Sequence, residues 1–491
     1  MGITIVGLGP GNGRYLTREA WDILTNASNI LLRTARHPTV ADLPDSVTTH
    51  SFDHIYDTTD RFEEVYATIV NTIIEQAAAG DMVYAVPGHP LMGESTVTAL
   101  LAKAKEENIP VRIVDGISFV EPMITAVSLD ALDGLQIFDA IDIANRQYPP
   151  LDPDTPALIG QVYSKLLASE LKLVLMMAYP EEHPVKLVHA AGTKQEIIEA
   201  MPLYEMDRSP HIDHLTSMFV PPLPHPSSLN ALADTVAVLR SPGGCPWDQE
   251  QTPQSMRQGF LEEFGEVLAA LDADDTDNLR EELGDLLYHI VMQTQMATEA
   301  GDFRLPDIIA EIDAKLKHRH PHVWGDVEVA DSDEVVRNWE RIKAKEKGGL
   351  AEKSLLDNIP TALPALAQSQ KVQDKVRKVG FDWPAIEGVY EKLQEEIAEI
   401  QAAQSQAERQ AEVGDALFVL VNLASWLGVD AESALREATL RFRRRFQLVE
   451  QLAAQNGGDL AKMSLDEMET LWQQAKKIVA DDEMIDKVDG L

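Results

Sequence analysis

The chain has 491 residues, with 80 acidic against 42 basic side chains and a formal net charge of −38. A field of that sign repels the phosphates of DNA and RNA, which argues against extended nucleic-acid binding, whereas small phosphate ligands can still bind beside local cations. Apolar runs stay well below the ~20 residues of a membrane-spanning helix, so no membrane partner is expected, and the single cysteine, Cys245, fits a reducing cytoplasm.

The first 220 residues alternate short β-branched runs with helical patterns, which is typical of an α/β domain. The segment ITIVG after Met1 is too short for the apolar part of a signal peptide, so we expect a cytoplasmic protein. The predicted strands are Ile3–Val6, Met82–Val86, Val111–Val114 and Leu171–Met177, and the predicted helices are Thr17–Thr25, Arg61–Ala79 and Ser95–Glu107.

Two glycine turns follow predicted strands of this domain. They are Val6-Gly7-Leu8-Gly9-Pro10-Gly11 and Val86-Pro87-Gly88-His89-Pro90. Glycine lets a ligand approach the backbone closely, and α/β sheets bind ligands at the carboxyl ends of their strands. Because Pro10 interrupts the glycine pattern, the turns do not form a dinucleotide-binding fingerprint.

A proline-rich linker at residues 221–227 ends the strand patterns, and long amphipathic helices follow. A joint at Lys347-Gly348-Gly349 divides this all-α half, so we predict domains at residues 1–220, 228–347 and 348–491. The predicted helices are Ser228–Arg240, Pro253–Leu271, Asp277–Ala300, Pro306–Arg319, Ser332–Lys347, Ala362–Val379, Glu387–Gln401, Glu408–Leu427, Ala431–Ala453 and Ser464–Val479.

Two carboxylate pairs lie at helical spacing within Leu261–Asp285. Glu263 and Glu266 precede a polar DADDTDN break, and Glu282 and Asp285 follow it. Residues three apart share a helix face, so the pairs can converge across a helical hairpin. Inward-facing carboxylates repel one another unless a cation neutralises them, and hard oxygen ligands suit Mg²⁺. The stretch therefore predicts a magnesium site.

The same order of residues occurs twice. The second acidic set is Glu396, Glu399, Glu412 and Asp415. A basic pair and then a tryptophan and a lysine, each at a four-residue step, follow both sets: Lys315, Arg319, Trp339 and Lys343 in the first copy, and Arg441, Arg445, Trp472 and Lys476 in the second.

This repeated set has the residue types that nucleoside triphosphate hydrolysis needs. Paired cations can hold a phosphate tail, and tryptophan beside lysine can stack on a base. A carboxylate that does not bind metal can orient or deprotonate the attacking water. No GxxxxGK[ST] motif occurs in the chain, so a Walker-type site is not the explanation.

The all-α half resembles the tandem MazG-type nucleoside triphosphate pyrophosphohydrolases over about residues 226–479. The motifs that carry the resemblance are GCPWDQEQT, LEEFGEV, LREELGDLL and KLKHRHPHVWGD, then GFDWP, EEIAEI, EVGDALFVLVNLA, RFRRRF and LWQQAKK. The resemblance implies an all-α fold, Mg²⁺ dependence, a homodimer, and cleavage of nucleoside triphosphates (NTPs) between the α and β phosphates to NMP and pyrophosphate. It implies that the eight carboxylates bind metal and that the basic and tryptophan residues surround the nucleotide.

In tandem members of that family the second copy is credited with catalysis, and the first is largely structural. Arg441 stands where the family often has lysine, whereas the first copy keeps Lys315. Arginine is not an isosteric replacement for lysine. Activity in both copies therefore stays open at this point.

The α/β half resembles the tetrapyrrole methylases, enzymes that use S-adenosylmethionine, through GLGPG, PGHP, DGIS and VHAAGT. The whole chain thus resembles the bacterial YabN-type bifunctional proteins. His89 stands where many active methylases have an acid, and Asp115 where they have a proline. Carried over by motif position, the residues implied to lie near the cofactor are Gly7, Gly9, Pro10, Gly88, His89, Ser118, Phe119 and Met177.

Two alternatives belong to other functional classes. In one, methyl transfer to a tetrapyrrole-like acceptor is the main activity and the helical half is regulatory. In the other, the helices form a non-enzymatic assembly protein whose acidic side chains only solvate the surface. The duplicated order of acids, cations and tryptophans favours the hydrolase over both.

Overall fold

The structure is a computed structural model that describes residues 2–59, 61–347, 354–357, 359–457 and 459–489. It confirms the predicted fold class, because an α/β domain is followed by a region that is helical throughout its described part. Contacts divide the chain into two compact units, residues 1–256 with 287–301 and residues 257–286 with 302–491. The predicted joint at Gly348-Gly349 lies outside the described residues.

The described strands form two five-stranded sheets. The first sheet is parallel, with the order β3-β2-β4-β1-β5. The second has the order β6-β7-β10-β8-β9 and is antiparallel except for the β6–β7 pair. The strands are β1 (Ile3–Gly7), β2 (Ile30–Leu32), β3 (Thr49–Ser51), β4 (Met82–Val86), β5 (Val111–Val114), β6 (Gln136–Asp139), β7 (Ala157–Gly160), β8 (Pro184–His189), β9 (Ile197–Pro202) and β10 (Thr216–Val220).

Helices cover both faces of the parallel sheet. Ile5 packs in an apolar cluster with α3 and α4, whereas its neighbour Val6 packs with α1, as the alternation of side chains along a strand requires. The helices of the α/β domain are α1 (Arg18–Asn26), α2 (Asp53–Tyr56), α3 (Phe62–Ala77), α4 (Ser95–Glu106), α5 (Val120–Val127), α6 (Ala140–Ala144) and α7 (Lys165–Leu175).

One predicted element of this domain is wrong. The run Leu171–Met177 was predicted as a strand, but residues up to Leu175 belong to α7. Ser164 caps that helix by accepting a hydrogen bond from the Leu167 amide at 3.2 Å. The buried residues Leu167, Ala168, Leu171, Val174 and Leu175 recur at the helical spacing of three and four.

The all-α half contains every helix that the sequence predicts, together with the two short helices α9 and α13. Among the described helices none is long and apolar enough by itself to cross a membrane, and only α17 and α18 taken together, with a 102° bend, meet that criterion. The helices are α8 (Leu229–Arg240), α9 (Pro246–Glu250), α10 (Arg257–Ala273), α11 (Thr276–Ala300), α12 (Leu305–Arg319), α13 (Pro321–Trp324), α14 (Ser332–Lys347), α15 (Ala365–Arg377), α16 (Ile386–Ala402), α17 (Gln406–Trp426), α18 (Ala431–Gln455) and α19 (Leu465–Asp489).

The two polar breaks of the sequence are tight turns between paired helices. In the second copy, Ser405 caps α17 by accepting from the Glu408 amide, and the Glu408 carboxylate accepts from the Ser405 amide, each at 3.2 Å. This capping box fixes the start of α17 nearly two turns before Glu412. The hairpins α10–α11 and α16–α17 therefore set the positions of the acidic residues.

Candidate functional site

Each hairpin brings three of its predicted carboxylates together. In the first copy, one oxygen from each of Glu263, Glu266 and Glu282 lies within 4.8 Å of the others. In the second copy, Glu396, Glu399 and Glu412 have the same arrangement. Several carboxylate oxygens within that distance fit the hard oxygen coordination of Mg²⁺.

The fourth predicted acids, Asp285 and Asp415, are exposed and lie outside these two groups. They still act on the groups electrostatically. Burial, and then Glu266, Glu263 and Asp285, raise the pKa of Glu282. Burial, and then Glu399, Glu396 and Asp415, raise the pKa of Glu412. Each cluster thus holds excess negative charge that a bound cation would neutralise.

The second cluster contains an internal cation at Lys392. Its ammonium lies 2.8 Å from Oε1 of Glu396 and 2.7 Å from Glu395, and these hydrogen bonds, first that to Glu395, raise the pKa of Lys392. Glu396 is only 3 % exposed, and its Oε2 has no hydrogen-bond partner among the described residues. A buried carboxylate oxygen without a partner is a favourable ligand for a cation. The first copy has Gly259 at the position of Lys392.

The predicted nucleotide-binding residues of the first copy pair with one another and with a carboxylate. The Arg319 guanidinium and the Lys343 ammonium lie 5.4 and 4.4 Å from the centre of the Trp339 ring. Arg319 also forms an ion pair of 2.6 Å with Glu346, and this hydrogen bond lowers the pKa of the Glu346 carboxyl. Lys315 pairs with Glu311 at 3.1 Å.

The corresponding residues of the second copy are less neutralised. Arg445 forms no ion pair with any described residue, and its buried Nε lacks a hydrogen-bond partner there. Arg441 lies 3.5 Å from Glu437. The Trp472 ring packs 5.0 Å from Phe442, and the Lys476 ammonium lies 5.9 Å from the Trp472 ring centre. These cations can therefore meet an anionic ligand without first breaking a short ion pair.

Sequence reasoning missed Glu346, a residue of the first copy whose carboxylate has no counterpart at the matching position of the second copy. It lies seven residues after Trp339, and Val479 lies seven residues after Trp472. Val479 is buried and apolar, so Arg445 has no carboxylate at that position. A position-by-position comparison of the two copies, beyond the residues that match, would have found the difference.

In the α/β domain the predicted glycine turns meet at the carboxyl edge of the parallel sheet. The Gly9 amide donates to the Gly88 carbonyl at 3.2 Å, and the Gly88 amide donates to the Gly9 carbonyl at 2.8 Å. A Cβ atom on Gly7 would lie 2.5 Å from the Gly88 carbonyl oxygen and 2.7 Å from Cα of Gly116. Side chains are excluded from this meeting point, so the loops form a glycine cradle of residues 7–11, 88 and 116.

The other residues predicted near a cofactor differ in their distance from the cradle. His89 Nε2 lies 3.5 Å from Asp115, so the two positions that depart from the active methylases contact each other. The Ser118 hydroxyl donates to Glu121 at 2.5 Å. Phe119 packs against Gly160, at the end of β7 in the second sheet.

Pro10 lies within the first cradle loop, between Gly9 and Gly11. Met177 lies just past the end of α7 and is 61 % exposed. It is not part of the apolar cluster that surrounds Phe119 in the described structure. The contacts therefore bring Gly7, Gly9 and Gly88 together in the cradle, whereas Phe119 contacts the second sheet and Met177 is exposed.

His37 is a buried residue beside the cradle that the sequence did not single out. Burial, and then His214 and Arg33, lower the pKa of His37 from 6.5 to about 4, while the neighbouring Gly9 backbone opposes the shift. An unfolded chain therefore binds a proton at this position more readily than the folded one between pH 6.5 and 4. Stability contributed by neutral His37 is present above that range and is lost as the pH falls through it.

Between pH 6.5 and pH 4 the free energy of unfolding of the wild type should fall because of His37. We expect His37→Leu to make this fall smaller by about 3 kcal/mol. The measurement is the opening free energy of β1 and β4 amides from hydrogen exchange at both pH values. His54→Gln, at an exposed histidine of the same domain, is the control and should leave the pH dependence intact. An unaltered slope in the His37 variant would mean that this histidine is not held neutral.

The chain matches two protein-family models. Residues 2–207 match the tetrapyrrole (corrin/porphyrin) methylases, and residues 251–324 match the MazG nucleotide pyrophosphohydrolase domain. The first match contains the glycine cradle, and the second contains the first carboxylate cluster.

Three similar proteins extend these matches. The nucleoside triphosphate pyrophosphohydrolase of Escherichia coli K12 is 45 % identical over 257 residues, which are 51 % of this chain and 98 % of that protein. The nucleoside triphosphate pyrophosphohydrolase/pyrophosphatase MazG of Thermotoga maritima is 40 % identical over 50 % of this chain and 94 % of that protein. The uncharacterized protein YabN of Bacillus subtilis 168 is 40 % identical over 484 residues, 97 % of this chain and 98 % of its own length. The chain therefore belongs to the YabN-type family, in which a tetrapyrrole methylase domain is fused to a MazG region.

Proposed function

We propose that the protein is a Mg²⁺-dependent pyrophosphohydrolase that converts NTPs or dNTPs to NMP and pyrophosphate, with turnover in the second MazG copy. The observation that carries the proposal is the cluster of Glu396, Glu399 and Glu412, whose oxygens approach within 4.8 Å. The names of the similar Escherichia coli and Thermotoga maritima proteins support it. The experiment that tests it is Mg²⁺-dependent release of pyrophosphate from a panel of NTPs and dNTPs.

Glu396, Glu399, Glu412 and Asp415 would hold Mg²⁺, which when bound supplies charge neutralisation and Lewis acidity for the triphosphate. The donor set fits this ion, because it is made only of carboxylates and one buried oxygen of Glu396 lacks a partner among the described residues. Lys392 holds the other oxygen of Glu396 in an ion pair of 2.8 Å.

The side chains of the second copy can perform the remaining chemistry. A carboxylate beside the cluster that does not bind the metal would orient a water molecule and accept its proton as the oxygen attacks the α-phosphorus. The bond from that phosphorus to the bridging oxygen breaks, and pyrophosphate leaves with the electron pair. Arg441, Arg445 and Lys476 would hold the departing anion by charge-assisted hydrogen bonds.

For the first copy we propose a largely structural role. Glu346 already satisfies Arg319, so a phosphate tail would have to displace a short ion pair before it could bind. Arg319 and Lys343 both lie against Trp339, where a base would otherwise stack. The second copy lacks the competing carboxylate, which favours it as the site of turnover.

We also propose a homodimer formed through the helical half. Ile397, Val413, Leu417 and Leu420 on α16 and α17 are each 45–48 % exposed, although all four are large and apolar. A group of exposed apolar side chains on one hairpin is typical of a protein–protein contact. The molar mass in solution, measured by light scattering, tests this.

The glycine cradle supports a second function, the binding of S-adenosylmethionine by the α/β domain. We expect calorimetric titration to show binding in the wild type and its loss in Gly7→Val, because the added side chain would collide with the Gly88 carbonyl at 2.5 Å. Leu132→Ala, at a position of the same domain that is 95 % exposed, serves as the control. Turnover with a tetrapyrrole-like acceptor would establish a methyltransferase, whereas the absence of binding in the wild type would exclude this second function.

A further inference from the structure

Helices α15 and α17 of the second copy bury two amide side chains that the hydrolytic chemistry does not use. Gln373 is 3 % exposed and Asn422 is 7 % exposed. The Gln373 amide nitrogen donates to the Phe418 carbonyl at 2.7 Å, and that of Asn422 donates to Asp382 at 3.4 Å. Their oxygens, Oε1 of Gln373 and Oδ1 of Asn422, have no hydrogen-bond partner in the described part of the chain. Two buried acceptors without partners are unfavourable unless a ligand or water satisfies them.

The first copy shows which residue the fold uses in place of Gln373. Arg240 ends α8 in the first copy, and Arg377 ends α15 in the second. Arg240 donates to the Asp248 carbonyl, and Arg377 donates to the Asp382 carboxylate. The two arginines therefore occupy matching positions. One helical turn before these arginines the first copy has Val236, which is fully buried in an apolar core.

The same comparison applies to Asn422. It lies ten residues after Glu412 on α17, and Met292 lies ten residues after Glu282 on α11. Met292 is fully buried and belongs to the same apolar core as Val236. The fold can therefore be built with valine and methionine at both positions, so packing alone does not account for the two amides in the second copy.

Asn422 lies along the same face of α17 as the acids, and Gln373 faces this helix from α15. Glu412, Asp415, Val419 and Asn422 follow the three-and-four spacing of one face, which puts Asn422 ~15 Å along the axis from Glu412. That separation is comparable with the reach of a nucleotide from its phosphates to the far edge of its base. Asp382 also accepts from Trp426 at 3.4 Å, and the adjacent Trp383 is 37 % exposed.

The hydrogen-bonding groups left over in this cluster determine which base fits. Besides the two carbonyl acceptors, Nη2 of Arg377 is a buried donor with no described hydrogen-bond partner. Guanine presents the N1–H and N2–H₂ donors beside the O6 acceptor, whereas adenine and cytosine each offer one amino group and uracil one N–H. Two acceptors and one donor therefore match guanine better than the other bases.

We propose that Gln373, Asn422 and Arg377 form the base-recognition site of the second copy and select guanine nucleotides. The N–H groups of the base donate to Gln373 and Asn422, and its O6 accepts from Arg377. This inference rests on the proposed NTP hydrolysis, which supplies the nucleotide.

The test uses a double variant, Gln373→Val with Asn422→Met, that installs the residues of the first copy. In the full-length wild type, kcat/KM with Mg²⁺ is expected to be higher for GTP than for ATP, CTP and UTP. In the double variant we expect the value for GTP to fall by roughly 10- to 100-fold, toward the others. The melting temperature should change little, because the loss of the bonds donated to the Phe418 carbonyl and to Asp382 is offset by the removal of two partnerless acceptors.

Gln370→Val is the matched control on the same helix. The Gln370 side chain donates to the Val429 carbonyl and accepts from the Ala431 amide, each at 2.9 Å, so its loss should lower the melting temperature without changing base preference. Two results would contradict the base site without contradicting the proposed hydrolase activity. One is equal kcat/KM of the wild type for the four nucleotides, and the other is a double variant that keeps the wild-type preference.

A failure of the proposed hydrolase activity can be distinguished from a failure of the base-recognition site. If the wild type releases no pyrophosphate from any NTP, the proposed function fails, and binding then decides the base site. Calorimetry with the α,β-methylene analogues of GTP and ATP is expected to give tighter binding of the guanine analogue in the wild type and equal binding in the double variant. Equal binding in the wild type would overturn the inference.

Discussion

Glu399→Gln is expected to reduce Mg²⁺-dependent pyrophosphate release by ~10³-fold, because several kcal/mol of charge stabilisation depend on the metal site. Glutamine keeps the shape of the side chain but removes the charge of one of the three oxygens that lie within 4.8 Å. Glu266→Gln, at the matching position of the first copy, should leave the rate almost unchanged. The rates are compared at saturating NTP by direct detection of pyrophosphate.

The melting temperature of Glu399→Gln without Mg²⁺ shows whether Glu399 acts as a metal ligand or as a structural residue. Removing one of several mutually repelling carboxylates should not lower the melting temperature without Mg²⁺. The stabilisation that Mg²⁺ gives the wild type by linkage should become smaller. A large loss of stability without metal would instead point to a structural role, and equal losses of rate in both variants would mean that both copies turn over substrate.

Arg445→Gln is expected to lower kcat/KM for NTPs by about 10- to 100-fold, the range of one lost charge-assisted hydrogen bond. The Arg445 guanidinium has no ion pair with a described residue, so its charge is available to the triphosphate. Arg319→Gln is the matched change in the first copy. Because Glu346 already binds Arg319 at 2.6 Å, that change should have little effect on turnover.

Steady-state kinetics of the two arginine variants would decide between the copies. A greater loss in Arg319→Gln than in Arg445→Gln would place substrate in the first copy and contradict the proposed role of Glu346. The circular dichroism spectrum of each variant should match that of the wild type. Both arginines lie on helices, and both side chains are at least partly exposed.

The sequence predicted the helical half well because long amphipathic helices repeat their apolar residues over many turns. The convergence of Glu396 with Glu399 and Glu412 also followed from local rules, the three-residue spacing and the hairpin turn. The strand predicted at Leu171–Met177 failed because a short run of leucine, valine and methionine fits a buried strand and a helix face equally well. The Ser164 cap and the burial of one helix face in the folded domain stabilise the helix.

Features that depend on distant parts of the chain could not be predicted. The carboxylate of Glu346 reaches Arg319 across 27 residues of sequence, which no periodicity encodes. Glutamine and asparagine are residue types typical of exposed helix positions. Gln373 and Asn422 are buried only because α15 packs against α17. The cradle depends on the strand order β4-β1-β5, which brings together loops that are far apart in the sequence.

The most direct test of the hydrolase is the identity of its first products. GTP is incubated with the full-length protein and Mg²⁺, and NMP, pyrophosphate and orthophosphate are quantified during the earliest turnovers. We predict equal amounts of GMP and pyrophosphate, no orthophosphate, and loss of both products in Glu399→Gln. Orthophosphate as the direct product, or a wild-type rate that neither Glu399→Gln nor Glu266→Gln reduces, would contradict the account.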